Sequence, residues 1–139
     1  MPALDRFHEA VRNALVKDGW TITDDPLTLL VGRDRVHIDL AAERLIVAEK
    51  GPERIAVEVK SFAGASPIGD LEVALGQYVL YRMVLRRTDP NRLLYLAVPS
   101  TIVDNRFRTR ELWQAFLTDE QGKLLSYDEE REEVVEWLP

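Results

Sequence analysis

The chain has 139 residues, 46% hydrophobic and 30% charged, with a net charge of −6. Those values suit one compact domain over residues 1–139 and exclude a disordered chain; the acidic balance argues against a protein that coats DNA by itself, since phosphate neutralisation dominates that affinity. The absence of cysteine excludes disulfides and thiolate metal sites and makes the cytoplasm the default location, and no apolar run approaches the roughly 20 residues of a membrane span.

Leu4, Phe7, Val11, Ala14 and Leu15 recur at helical spacing, and Asp18-Gly19 ends that helix. Its mixture of charged and apolar residues does not read as a signal peptide. Trp20 to Thr23 alternates as a strand, Asp25-Pro26 is a turn, and Leu27 to Val31 reads as a short strand stopped by Gly32. Three strands are expected next. Val36, Ile38 and Leu40 alternate with His37 and Asp39; Leu45 to Glu49 is a second run, ended by Gly51-Pro52; Ile55, Val57 and Val59 alternate with Ala56, Glu58 and Lys60.

Pro67 to Arg87 is the longest helical pattern, with an expected apolar stripe of Ile68, Leu71, Leu75, Val79 and Leu85. Leu93 to Val98 reads as a central buried strand. A helix over about Thr109 to Leu117 and strands near Lys123 to Tyr127 and Glu133 to Trp137 complete the chain. The acids Asp128, Glu129, Glu130, Glu132, Glu133 and Glu136 read as a solvated turn and strand face. The whole is a mixed α/β domain, a sheet flanked by helices.

The chemistry concentrates on Glu58-Val59-Lys60. Period two sets Glu58 and Lys60 on one sheet face, and burying both charges costs several kcal/mol unless they are paired or metal-bound. A lone Glu-x-Lys is most often a salt-bridged edge. Asp39 changes that, because aspartate is depleted in strands and a hairpin-type arrangement brings it beside Glu58. Two carboxylates so close call for a cation between them. Mg²⁺ fits, with Mn²⁺ as the alternative, and Lys60 would activate the attacking water and stabilise developing charge.

This pattern resembles the PD-(D/E)XK nuclease superfamily: a strand aspartate, then Glu/Asp-x-Lys one hairpin later. The residue before Asp39 is Ile38 where the motif has proline. Gln77 to Tyr81 fits the Gln-x-x-x-Tyr element of its RecB-like branches, and i, i+4 spacing puts both tips on one helical face. There they would contact the site or a DNA strand; a packing role for Tyr81 is an equal alternative. In many members the first helix supplies a further metal ligand. His8 lies beside the apolar stripe and is the candidate, whereas Glu9 lies opposite and faces solvent.

The chain is also similar to the XisH family, the excision controlling factors of the cyanobacterial fdxN element. The similarity runs through MPALDRFHEAVRNALVKDGWTITDDPLTL, RVHIDLAAERLIVAEKGPERIAVEVKSFAGAS, DLEVALGQYVLYRMVL and LYLAVPS, and is looser toward the C-terminus. It implies a restriction-endonuclease-like core and a cytoplasmic protein that works in programmed DNA excision with a site-specific recombinase and a companion called XisI. The expected site is then Asp39, Glu58, Lys60 and Gln77 for catalysis, Asp39, Glu58 and His8 for the metal, and Gln77 and Tyr81 for substrate. The alternatives are a catalytically idle accessory factor on the same fold, acting through protein partners, and a toxin-like module restrained by its companion. A homodimer suits a duplex cutter, although no segment specifies one.

Overall fold

The computed structural model describes residues 3–45 and 52–139. Helix α1 (Ala3–Lys17) is followed by strands β1 (Thr21–Asp24), β2 (Leu27–Val31), β3 (Asp34–Ile38), β4 (Leu40–Leu45) and β5 (Pro52–Val59). Helix α2 (Pro67–Thr88), strand β6 (Leu93–Pro99), a helical turn α3 (Ser100–Ile102), a π-helical segment (Val103–Phe107), helix α4 (Glu111–Thr118) and strands β7 (Leu124–Asp128) and β8 (Glu133–Leu138) complete the chain. The main sheet has the order β1-β4-β5-β6-β7-β8. Strands β5, β6 and β7 run parallel and the flanking pairs antiparallel, while β2 and β3 form a separate hairpin.

Each face of the sheet carries its own core. Phe7, Ala10, Val11 and Leu15 of α1 pack on Leu40, Val57, Ala97 and Leu125. Leu71, Ala74, Tyr78 and Leu85 of α2 pack with Phe107, Trp113 and Phe116 against Ala56, Leu96 and Leu124. Strand β5 is therefore buried on both sides over Ile55 to Glu58, as its place among parallel strands requires. Helix α1 stops where Gly19 takes φ +94, a left-handed cap that a side chain would resist. Helix α2 starts at Ser66, whose Oγ accepts from the Gly69 N–H at 3.1 Å, with Pro67 opening the first turn.

Two expectations are corrected and a third lies largely outside the described residues. The run Val36 to Leu40 is not one strand. The chain bends at Asp39, leaving β3 in the hairpin and starting β4 in the main sheet; the alternation continues unbroken across the bend and so conceals it. Of the run Leu45 to Glu49, only Leu45 lies among the described residues, and it closes β4. The buried face of α2 is Leu71, Ala74, Tyr78, Tyr81, Val84 and Leu85, whereas Ile68 and Val79 are exposed. Apolar residues surround this helix, so several stripes fit its sequence and only packing selects one. The helical segment between β6 and α4 was not anticipated. Among the described residues no helix is long and apolar enough to cross a membrane.

Candidate functional site

Four of the expected site residues, His8, Asp39, Glu58 and Lys60, meet where β5 ends and the chain leaves the sheet, at the carboxyl end of two parallel strands. That edge is where open α/β sheets place their ligands. Register pairs Leu40 with Val57, so Asp39, one residue earlier, stands beside Glu58 on the adjacent strand. Its Oδ2 accepts a hydrogen bond from the Val59 N–H at 2.8 Å. The carboxylate is thereby tied to β5 and cannot swing away from Glu58. The backbone N–H of Lys60 continues the parallel ladder to the Ala97 carbonyl at 2.9 Å, which fixes the root of the lysine.

A cleft of about 400 Å³ opens here, lined by Phe7, His8, Asp39, Glu58, Val59, Lys60 and Ser61. Glu58 is buried, with 6% of its side chain exposed. Its Oε1 lies 3.5 Å from Lys60 Nζ, and its Oε2 is shut from solvent with no hydrogen-bond partner. Burial, and next the Asp39 carboxylate, push Glu58 up from the ordinary 4.5 to about 7, against the opposing pull of Lys60. One lysine does not neutralise two carboxylates, and a buried orphan oxygen costs about 1–3 kcal/mol.

His8 lines the same cleft, and its Nε2 is held 2.8 Å from Asp25 Oδ1 while Arg12 Nε donates to Oδ2 at 3.1 Å. In the tautomer whose Nε2–H donates to Asp25, the ring's acceptor lone pair is on Nδ1. Gln77 and Tyr81 do not line the cleft. Tyr81 is buried in the α2 core, near enough that Glu58 and Asp39, after burial itself, help push its hydroxyl up to about 12. Gln77, one turn earlier, has Oε1 buried without a partner. Ser61, adjacent to Lys60, and Asp25, which positions His8, were missed. No spacing rule marks either, since Asp25 reaches His8 across 17 residues.

Among the described residues no group of three or more His, Cys, Asp or Glu side chains is placed to hold a metal ion. The pair Asp39 and Glu58, with its unpartnered oxygen, fits a hard cation that takes few protein oxygens and keeps most of its water. The arginines are largely committed elsewhere: Arg82 to the Glu120 carbonyl at 2.8 Å and Arg108 to Asp104 at 3.1 Å, while Arg106 lies over the Trp113 ring.

The XisH protein family model matches residues 1–135. The crystal structure of an XisH family protein from Nostoc punctiforme superposes with a TM-score of 0.86 at 45% identity, covering 97% of this chain and 100% of that one. That of an fdxN element excision controlling factor protein from Anabaena variabilis gives 0.87 at 45% identity, covering 97% and 99%. No curated protein matches.

Proposed function

This chain belongs to the XisH family, and from that premise we propose that it is an excision controlling factor whose cleft is a divalent-metal site for phosphodiester hydrolysis on DNA during programmed element excision. The core is read as restriction-endonuclease-like. The observation that carries the reading is Glu58 Oε2, a buried carboxylate oxygen without a partner beside a second carboxylate and a lysine.

Asp39 and Glu58 would hold Mg²⁺ or Mn²⁺; His8, on the wall of the same cleft but not placed as a third ligand, would join them by turning Nδ1 toward the ion. A metal-ligating imidazole usually gives its other N–H to a carboxylate, the arrangement His8 has with Asp25. The cation supplies positive charge that polarises a phosphodiester and acidifies water. Lys60 holds its ammonium at the same cleft, where it orients the attacking water and stabilises the phosphorane charge. Asp39, through the Val59 N–H, keeps the carboxylates in register. Gln77 and Tyr81 stand outside the cleft lining, and a part in substrate positioning would require them to turn toward it.

The net charge of −6 favours a second reading, an idle nuclease scaffold that works through partners such as a XisI-like companion and a site-specific recombinase. Nicking assays on supercoiled, branched and single-stranded DNA with Mg²⁺ or Mn²⁺, with and without the companion, separate the two. Hydrolysis that falls by about 100-fold or more in both Glu58→Ala and Lys60→Ala is the expected result. Absence of cleavage in every condition, with the wild type still binding metal, would establish the accessory role.

A further inference from the structure

The outer face of α2 carries a pattern that this chain does not use. Val73, Leu80 and Met83 are 55%, 48% and 54% exposed, and with Gly76 and Arg87 they follow alternating steps of three and four residues. That is the spacing of a helix seam that packs on another helix. The inner face already buries Leu71, Ala74, Tyr78, Tyr81 and Leu85, so the outer stripe is surplus to the fold.

Gly76 sharpens the point. Glycine inside a helix costs about 1 kcal/mol against alanine, yet a Cβ built there meets nothing within 4 Å. The chain's own packing gives no reason for the residue. A second backbone coming close does, since a missing side chain lets helices approach. The occupant is marked by charge. The helix carries Asp70 in its first turn and Arg86 and Arg87 in its last, with Glu72 exposed beside the stripe. An antiparallel copy of the same helix sets acid against base at both ends, and a parallel copy sets like against like.

We propose that α2 forms a homodimer interface, two copies packing antiparallel about a two-fold axis between Val79 and Leu80. The axis brings the two Leu80 side chains together at the centre, Gly76 against the second copy's Met83, and Glu72 against the second copy's Arg87. Leu80, Met83 and Arg87 of the stripe wall an open groove of about 390 Å³ against Val31, Asp34, Arg35 and Val36 of the β2–β3 hairpin, and it receives side chains of the facing helix. This interface is isologous, as a closed dimer requires, and it is independent of the chemistry in the cleft.

Sedimentation equilibrium on the full chain tests it. The wild type is expected to be a dimer. Leu80→Arg should weaken association on the order of 100-fold, because the residue meets itself at the centre, with an unchanged far-ultraviolet spectrum, since its side chain lies outside the core. Glu72→Arg and Arg87→Glu should each weaken the dimer, and the double variant should restore it, an outcome that only the antiparallel register allows. A wild-type monomer at every concentration, a dimer indifferent to Leu80→Arg, or a double variant without rescue would each overturn the proposal. So would a monomer that uses this face for a different protein.

Discussion

Glu58 holds its charge in surroundings that disfavour it, and that has a measurable consequence. Its folded value of about 7 stands above the ordinary 4.5, so over that window the folded chain binds the proton more tightly than the unfolded one. The stability this gives is fully present below about pH 4.5 and is lost as pH rises through about 7. The gap corresponds to about 3 kcal/mol as an upper bound. Glu58→Gln is therefore expected to be more stable than the wild type by about 2 kcal/mol near pH 8, with a much smaller gain near pH 5. Urea denaturation at the two pH values checks this, and an equal gain at both would contradict it. Adding Mg²⁺ near pH 8 should raise the wild-type melting temperature and leave Glu58→Gln unmoved, since a ligand that binds only the folded state stabilises it by mass action. A variant with the same metal response would remove Glu58 from the ligand set.

At the scale of elements, an ionic cluster fastens the end of β5 opposite the cleft. Arg92 is buried, donates to Asp89 Oδ2 at 2.9 Å and to the Ile55 carbonyl at 3.0 Å, and approaches Glu43. It thus joins β4, β5 and the C-terminus of α2. Removing one member of a buried pair leaves the other uncompensated, so Arg92→Ala should cost about 3 kcal/mol in urea denaturation, whereas exposed Arg108→Ala should cost less than about 1 kcal/mol. Equal effects would mean the cluster does not staple the sheet. Strand β5 and its Glu-x-Lys triplet were legible because period-two alternation and an apolar core strand are local signals. The bend at Asp39 was not, because an alternating sequence looks alike whether one strand continues or two sheets exchange it. The true inner face of α2 was hidden for the opposite reason: too many apolar residues fit too many stripes. The Asp25–His8 contact joins residues far apart in sequence and leaves no periodic trace.

For the whole molecule, the acidic net charge would set how the chain reaches DNA under the proposed function. A protein that neutralises several phosphates binds duplex tightly at low salt and loses affinity steeply as salt rises. A chain of net charge −6 is repelled at long range, and two of its carboxylates sit in the cleft itself. Metal binding at Asp39 and Glu58 would remove the local part of that repulsion, and a companion protein with a basic surface would remove the rest. Fluorescence anisotropy on a labelled duplex should therefore show weak binding by the chain alone at physiological salt, strengthened at least about 10-fold by the companion. The divalent cation should add a smaller gain that Glu58→Gln abolishes. Tight, salt-steep binding by the isolated chain would mean that some basic face outweighs the net charge, and recruitment by partners would then be unnecessary. Weak binding rescued by the companion would instead assign delivery to the partner and leave this chain the part proposed for it, a cleft that holds the cation.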